Sequence, residues 1–228
     1  MAADTNPESF DRFARDYDRF VGLLPGRNTS WISGLGLAGK RALDAGCGPG
    51  HAVEVLADSF GEVVGVDLSE PLLDIASVKR GRDNVRYVRS NVLDIREEGG
   101  FDLVYSHTML HHLEDYRAGL EHLKSLVRPG GTVALIDNVS DLCPTPPRAA
   151  YTWPAVWGFP RSVRELGLRD AWFMLRFWHS KPWLDHLLSD RYLSRDQFRS
   201  LYGSVFPGAH FDDLGFALAM SWKAPALN

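Results

Sequence analysis

The chain has few cysteines, no strong excess of positive charge and no long apolar run. Its 228 residues include two cysteines, Cys47 and Cys143, which are too few for a disulfide framework and fit a reducing compartment. The net charge of −4 argues against a nucleic-acid partner, because such partners usually leave a strongly basic protein surface. No apolar run reaches the roughly 18 residues of a membrane-spanning helix, and the acidic N-terminus lacks the apolar centre of a signal peptide. These absences predict a cytoplasmic protein without a membrane span.

The order of apolar and amphipathic segments predicts an α/β fold. Short apolar strands separated by amphipathic helices are typical of a mostly parallel sheet with helices on both faces. Two closing strands, at 210–213 and 216–222, predict an antiparallel pair that completes a seven-stranded sheet. The earlier strands are predicted at 41–45, 62–67, 85–90, 101–106 and 131–138, and the helices between them at about 51–59, 70–79 and 115–127.

Two segments lie outside this alternation. Residues 1–40 predict a helical flap, with Ser9 as a helix cap, in front of a single domain at 41–228. The alternation stops after Asn138, and residues at about 141–192 predict a lid insertion. This insertion holds five of the seven tryptophans, so aromatic side chains dominate it.

The most informative stretch is Leu-Asp-Ala-Gly-Cys-Gly-Pro-Gly at residues 43–50, between a predicted strand and a predicted helix. Glycines at such a position allow the backbone to turn sharply and to approach a ligand closely. Asp67 ends the next strand, where a carboxylate can bind a ribose. A nicotinamide site is a competing interpretation, but its pattern is G-x-G-x-x-G, and the spacing here is G-x-G-x-G. Asp44, just before the loop, would also repel a pyrophosphate and suits a ligand with a positive amino group.

This loop resembles the first motif of the class I S-adenosylmethionine-dependent methyltransferases, of the type 11 kind that act on small molecules. Two further stretches are similar to motifs of that family, His-His-Leu at 111–113 after the fourth strand and Arg-Pro-Gly-Gly at 128–131 before the fifth. The resemblance covers about residues 10–138. It implies a Rossmann-like seven-stranded fold, S-adenosylmethionine as the methyl donor and S-adenosylhomocysteine as the product.

The resemblance also implies which residues surround the cofactor. The glycine loop would lie against its methionine part, with Asp44 near the amino group and Asp67 on both ribose hydroxyls. The family usually has Asp where this chain has Asn91, which keeps a carbonyl oxygen as an acceptor for the adenine amine. The expected cofactor-binding residues are Tyr17, Asp44, Gly46, Gly48, Asp67, Leu68, Asn91, Val92 and Ser106.

His107 is the predicted catalytic residue, because it follows the fourth strand and would lie on the sulfonium side of the pocket. Histidine suits a general base, since its ordinary pKa of about 6.5 lies near cellular pH; the alternative is a histidine hydrogen-bonded beneath the cofactor. His107 and His111 have i, i+4 spacing, but no H-E-x-x-H pattern surrounds them, so no bound metal is expected. Cys143, followed by proline, resembles the nucleophile of pyrimidine C5-methylating enzymes, although a plain loop residue is the favoured interpretation.

The aromatic side chains of the insertion predict an apolar wall for the methyl acceptor. This favours O- or N-methylation of a small aromatic or lipophilic molecule, for instance an intermediate of antibiotic biosynthesis, by a monomer or a homodimer. Three alternatives stay open: methylation of RNA or protein, a non-methylating role such as a cyclase or a partner subunit, and a peripheral membrane role for residues 172–178. The tryptophans expected in the lid wall are Trp153, Trp157, Trp178 and Trp183.

Overall fold

The computed structural model describes residues 8–24, 29–142 and 144–226. The interpretation of Cys143 as a nucleophile therefore lies outside the described residues, and so does that of the Ser9 side chain as a cap. Among the helices of the described ranges, none combines the length and the apolar character that crossing a bilayer requires.

A sheet forms the centre of the described chain. Its strands are β1 (Gly39–Ala45), β2 (Phe60–Asp67), β3 (Val85–Arg89), β4 (Phe101–His107), β5 (Val127–Asn138), β6 (His210–Asp213) and β7 (Ala217–Lys223). In space they follow the order β3-β2-β1-β4-β5-β7-β6. Strands β1 to β5 pair in parallel, whereas β7 is antiparallel to both of its neighbours, β5 and β6. The predicted fold class, a mostly parallel sheet with an antiparallel last strand, is confirmed.

Helices cover both faces of this sheet. Neighbouring residues of a strand point to opposite faces, and in β1 both Ala42 and Leu43 are fully buried, in two different apolar clusters. The α-helices of the described residues are α1 (Glu8–Asp11), α2 (Ala14–Leu23), α3 (Ser30–Gly34), α4 (His51–Leu56), α5 (Glu70–Arg80), α6 (Tyr116–Leu126), α7 (Arg148–Trp157), α8 (Phe159–Leu166), α9 (Leu168–Trp178), α10 (Lys181–Ser189) and α11 (Arg195–Val205). Leu43 packs in the cluster that contains residues of α6 and α11, and Ala42 in the cluster that contains residues of α3, α4 and α5.

The Arg-Pro-Gly-Gly stretch differs from its prediction. It does not form a turn before the fifth strand, because β5 begins at Val127, directly after α6, and the stretch lies inside the strand. The pairing of β4 with β5 shifts there, and Gly130 has a φ of +76°. Its N–H donates to the carbonyl groups of Ala224 and Pro225, so the irregular backbone is anchored beside the end of β7. A turn and a bulge both use glycine at positive φ, and the sequence alone does not separate them.

The first described part of the N-terminal segment, residues 8–24, forms the two helices α1 and α2. Phe13 lies between α1 and α2 with φ −140° and ψ 20°, which interrupts the helical backbone. As a result, the rings of Phe10 and Phe13 both contact the insertion: the Phe10 ring lies 4.4 Å from that of His186, and the Phe13 ring 5.9 Å from that of Trp183. Together with residues of α9 and α10 these side chains form a third apolar cluster, separate from the two at the sheet.

Candidate active site

A cavity of about 650 Å³ opens at the carboxyl ends of the parallel strands. In open parallel sheets this edge is where ligands bind, at the point where the strand order reverses. Here the order reverses between β1 and β4, whose following loops both enter the cavity wall. The wall includes eight of the ten residues predicted to bind the cofactor or to act in catalysis, which are Tyr17, Gly46, Gly48, Asp67, Leu68, Asn91, Val92 and His107.

The glycine loop meets the cavity with a left-handed backbone. The φ angles of its three glycines are +78°, +51° and +86°. A Cβ on Gly46 would lie 2.5 Å from Cγ of Met109, so packing excludes any larger residue there. A Cβ on Gly48 would instead have Cε1 of Tyr17 as its nearest neighbour, at 4.0 Å. Gly48 therefore presents bare backbone to open space, which allows a ligand to approach closely.

Asp67 is held in place by backbone donors. Its Oδ2 accepts a hydrogen bond of 2.8 Å from the N–H of Gly48, and its Oδ1 accepts one of 2.9 Å from the N–H of Ser69. Burial raises the pKa of Asp67, against the lowering effect of these bonds. Each carboxylate oxygen retains a second lone pair, so the carboxylate is fixed at the cavity and still able to accept hydrogen bonds from a ligand.

Asp44 lies behind the glycine loop in an unfavourable environment. Its side chain is buried, and among the described residues Oδ2 has no hydrogen-bond partner. Burial, together with the charge of Asp67, raises the pKa of Asp44 to about 8. A buried carboxyl oxygen without a partner destabilises the folded protein, and a ligand group that donates a hydrogen bond or carries a positive charge would reduce this cost.

Ser106 does not reach the cavity wall. It is fully buried, and its Oγ donates a hydrogen bond of 2.7 Å to the carbonyl oxygen of Ala45. This bond joins β4 to the end of β1, directly before the glycine loop. The Ser106 side chain therefore supports the glycine loop from behind and does not line the cavity. Its expected contact with the cofactor stays a prediction.

The remaining expected cofactor residues lie together. Leu68 is partly exposed in the wall, and Val92 is buried beside it. The Oδ1 of Asn91 accepts a hydrogen bond of 2.9 Å from the N–H of Leu93, which caps a short 3-10 turn. This bond fixes the amide orientation and leaves one carbonyl lone pair of Asn91 for a ligand.

The N-terminal helices close one side of the cavity. Tyr17 lies in its wall, and Asp11 accepts a hydrogen bond of 2.6 Å from Oγ of Ser69, next to Asp67. Asp18, the residue after Tyr17 in α2, is buried and accepts hydrogen bonds from Lys79 and Arg80 of α5. The flap is thus joined by polar contacts to Ser69 and to α5, the helix that follows β2.

Three histidines enter the cavity wall: His107, His112 and His186. Burial lowers the pKa of His107 and of His186 to about 4, so both imidazoles are neutral at cellular pH. The sequence pointed to His107, and the His-His-Leu motif signalled His112. His186 belongs to the lid, which has no motif, so no sequence signal placed it here.

Thr108, next to His107, was also not predicted. It has a φ of +54°, a left-handed conformation that a β-branched residue rarely adopts. Its N–H donates a hydrogen bond of 2.8 Å to the carbonyl oxygen of Ile136, which holds the strained backbone at the cavity wall. Strained residues of this kind cluster at functional sites.

The predicted tryptophan wall requires correction, because none of its four residues lines this cavity. Trp153 and Trp157 are 57% and 79% exposed and stack on each other on the outside of α7. Trp183 is buried against Phe177 at a ring distance of 5.0 Å. Trp178 lines a smaller cavity of about 290 Å³ between the lid helices. Tryptophans occur on all sides of these helices, so the sequence did not indicate which face turns inward.

Comparisons with known proteins agree with this geometry. A family model described as a methyltransferase domain matches residues 43–135. An uncharacterized methyltransferase of Mycobacterium tuberculosis is 31% identical over 142 residues, which cover 54% of this chain and 72% of that protein. A ubiquinone biosynthesis O-methyltransferase of Cupriavidus pinatubonensis is 39% identical over 108 residues, which cover 45% of this chain and 43% of that protein.

Solved structures match over nearly the whole chain. A complex of DhpI with S-adenosylhomocysteine has a TM-score of 0.64 at 16% identity and covers 99% of this chain and 98% of its own. The 1,6-didemethyltoxoflavin-N1-methyltransferase of Burkholderia thailandensis has a TM-score of 0.62 at 17% identity, and the match covers 98% of this chain and 88% of that protein. At such identities the likeness concerns the fold. The mycobacterial relative and the matching family model establish the family. The chain belongs to the class I S-adenosylmethionine-dependent methyltransferases.

Proposed function

We propose that the chain transfers the methyl group of S-adenosylmethionine to a hydroxyl or amine group of a small, partly apolar acceptor. The observation that carries this proposal is the continuity of the 650 Å³ cavity. Its wall includes the strand-end loops that contain Gly48 and Asp67 together with Phe10 of the flap and His186 of the lid. We assign the part at the strand ends to the cofactor and the part at the flap and lid to the acceptor. Donor and acceptor would meet within one space, partly screened from water.

The strand-end half of the cavity suits the cofactor. Gly48 offers bare backbone to the methionine part, and the unpartnered carboxyl of Asp44 lies behind that loop, where an ammonium group would compensate it. We infer that Asp67 accepts both ribose hydroxyls and that Leu68 and Asn91 contact the adenine, since all three line this cavity. These contacts are the ones that the family resemblance implies, now supported by the shared cavity.

The other half suits a small acceptor. Its wall combines apolar and aromatic side chains with imidazole groups, and this mixture is typical of a site that orients a small molecule by a few polar contacts. The residues that we assign to this side are Phe10, His112, Leu113, His186 and Ser189. The net charge of −4 supports a small molecule over RNA, as does the occurrence of a ubiquinone biosynthesis O-methyltransferase among the similar proteins.

The reaction is an in-line displacement at the methyl carbon of the sulfonium. The cofactor supplies its own leaving group, so the protein mainly positions the acceptor oxygen or nitrogen, which provides up to about 7–11 kcal/mol. His107, with a pKa of about 4, is a weak base, and general-base catalysis is most effective when the pKa lies near the working pH. We therefore propose that His107 orients the reacting groups and is not the main proton acceptor.

Calorimetric titration with S-adenosylhomocysteine tests the cofactor half. We expect tight binding by the wild type and a large loss in Asp67→Ala, because the ribose loses its acceptor. Asp74→Ala is the matched control, since Asp74 is an exposed carboxylate of α5 outside the cavity wall. Absence of binding by well-folded wild type would contradict the proposal.

A methyl-labelled cofactor tests the acceptor half. Incubation with panels of phenols, catechols and small amines is expected to label a low-molecular-weight product, while RNA and protein substrates stay unlabelled. Labelled RNA or protein in place of a small product would overturn the proposed acceptor class and leave the cofactor site intact.

A further inference from the structure

Three side chains that can ligate a metal meet at the acceptor end of the cavity. His111 and His112 follow β4, and Asp190 follows the lid helix α10. Nε2 of His111 lies 3.7 Å from Oδ2 of Asp190, and Nδ1 of His112 lies 3.3 Å from Oδ1. One potential ligand atom from each residue lies within 4.8 Å of those of the other two. Two elements far apart in the sequence thus converge on one point.

The distances suit a shared ion better than direct hydrogen bonds. Hydrogen bonds from a charged nitrogen to a carboxylate are typically about 2.7–2.9 Å long. Oδ1 of Asp190 is buried, and the 3.3 Å that separates it from Nδ1 of His112 is longer than this range. Ligand atoms about 2.0–2.1 Å from a tetrahedral zinc ion are separated from one another by roughly 3.3–3.4 Å. The 3.3 Å between Nδ1 of His112 and Oδ1 of Asp190 matches this value, and the 3.7 Å between Nε2 of His111 and the other oxygen, Oδ2, is slightly longer.

The surroundings hold these side chains in the orientation that a metal requires. Nδ1 of His111 is hydrogen-bonded at 2.5 Å to Oδ1 of buried Asp137, which directs Nε2 towards Asp190. The hydroxyl of Tyr192 donates a hydrogen bond of 2.8 Å to Oδ2 of Asp190. Metal-binding histidines commonly have such a carboxylate on their other nitrogen, because it fixes the ring and raises its basicity.

We propose that His111, His112 and Asp190 bind a divalent transition-metal ion, with zinc as the probe. Two imidazoles and one carboxylate favour zinc, iron or manganese over magnesium or calcium, which prefer all-oxygen sites. Three protein ligands leave a further coordination position, which is the arrangement of catalytic zinc sites. His112 lies in the cavity wall while His111 and Asp190 lie behind it, so that position faces the acceptor.

The ion gives the proposed reaction a way to activate a hydroxyl, and this step rests on the proposed function. A hydroxyl oxygen bound to a divalent cation loses its proton more easily, because the cation stabilises the negative charge. The proton passes to the buffer. The oxygen then bonds to the methyl carbon while the carbon–sulfur bond breaks, and the electron pair of that bond remains on sulfur. An acceptor with a hydroxyl is therefore favoured over an amine.

Zinc binding by the full chain tests the site without any acceptor. The protein is freed of metal with a chelator, titrated with Zn²⁺ by calorimetry, and its bound zinc is quantified by elemental mass spectrometry. We expect one zinc per chain, with affinity more than about 10-fold weaker in His112→Ala, Asp190→Asn and Asp137→Asn. His179→Ala is the control, because His179 is an exposed histidine of the same insertion. Cobalt substitution is expected to give the visible bands of a four-coordinate site.

The outcomes separate the metal site from the proposed function. Binding of S-adenosylhomocysteine is measured on the same samples, and a variant that retains it is folded. The proposed site is overturned if the wild type binds no zinc, or if His112→Ala and Asp190→Asn bind zinc as tightly as the wild type. Binding of Mg²⁺ in preference to Zn²⁺ also overturns it. Loss of zinc with intact cofactor binding in the variants supports it. A wild type that binds zinc but not S-adenosylhomocysteine would instead contradict the proposed function.

Discussion

The backbone N–H of Gly48 donates a 2.8 Å hydrogen bond to the carboxylate of Asp67. This bond connects the loop after the first strand to the end of the second, so the two parts expected to hold the methionine and ribose portions of the cofactor have a fixed spacing. The contact uses one lone pair of one carboxylate oxygen and leaves the cavity side of Asp67 available.

Replacing Gly48 with alanine is expected to weaken cofactor binding more than it weakens the fold. The φ of +51° makes alanine unfavourable by about 1–2 kcal/mol, and the added methyl group points into the open space that a ligand would occupy. Gly99→Ala is the matched control, because Gly99 also has a positive φ, of +78°, and open space around it, but lies outside the cavity wall. Chemical denaturation and calorimetry with S-adenosylhomocysteine measure the two effects. Equal loss of affinity in both variants would contradict the role of Gly48.

Asp44→Asn is expected to make the free protein more stable relative to wild type as the pH rises. The pKa of Asp44 is about 8 in the folded protein and about 3.9 in the unfolded chain. Between these values the folded state holds the extra proton, so the contribution of Asp44 to the free energy of unfolding falls as the pH rises and levels off above about pH 8. Asparagine has no such titration. Denaturation of both proteins across this range measures the difference.

The same substitution is expected to abolish most cofactor binding, since a neutral amide does not compensate the ammonium group. A stability difference that stays constant with pH would contradict the raised pKa of Asp44. An Asp44→Asn variant that binds S-adenosylhomocysteine as tightly as wild type would contradict its role at the amino group.

The lid tryptophans are expected to differ sharply in their effects. Trp183→Ala removes a buried ring from the third apolar cluster and should lower the free energy of unfolding by about 3–5 kcal/mol. Trp157→Ala changes a side chain that is 79% exposed, so the effect should remain within about 0.5 kcal/mol. Denaturant titration measures both. Once an acceptor is found, an unchanged KM in Trp157→Ala confirms that this ring lies outside the acceptor wall.

Local sequence patterns predicted the sheet and brought several candidate residues to one cavity wall. The strands are short, apolar and buried on both faces. The positions of the residues that follow them can be predicted without knowing any contact between distant segments. Gly46, Gly48 and Asp67 belong to loops whose positions are set by the sheet order alone. The order of the motifs along the chain was therefore sufficient to bring them together.

The acceptor half depends on contacts between distant segments and was less predictable. Asp190 and His186 reach the site because the insertion folds back over the cavity, and nothing near them in the sequence indicates this. The sequence argument against a metal considered only His107 and His111 and the missing H-E-x-x-H pattern, and it had no means of bringing Asp190 to the histidines after β4. The sequence also did not show which faces of the lid helices turn inward. Trp157 and Trp183 are both tryptophans of the insertion, yet the first is exposed and the second is buried.

Side chains of the flap contact both the glycine loop and the lid. Tyr17 lies against Gly48 on the cofactor side, while Phe13, one helical turn earlier, packs on Trp183 of the lid. A ligand that orders Tyr17 also orders the segment on which the lid rests. We therefore expect donor and acceptor to bind cooperatively, each increasing the affinity for the other by the same factor. The short N-terminal segment would then carry the coupling between the two sites, because it contacts both the glycine loop and the lid.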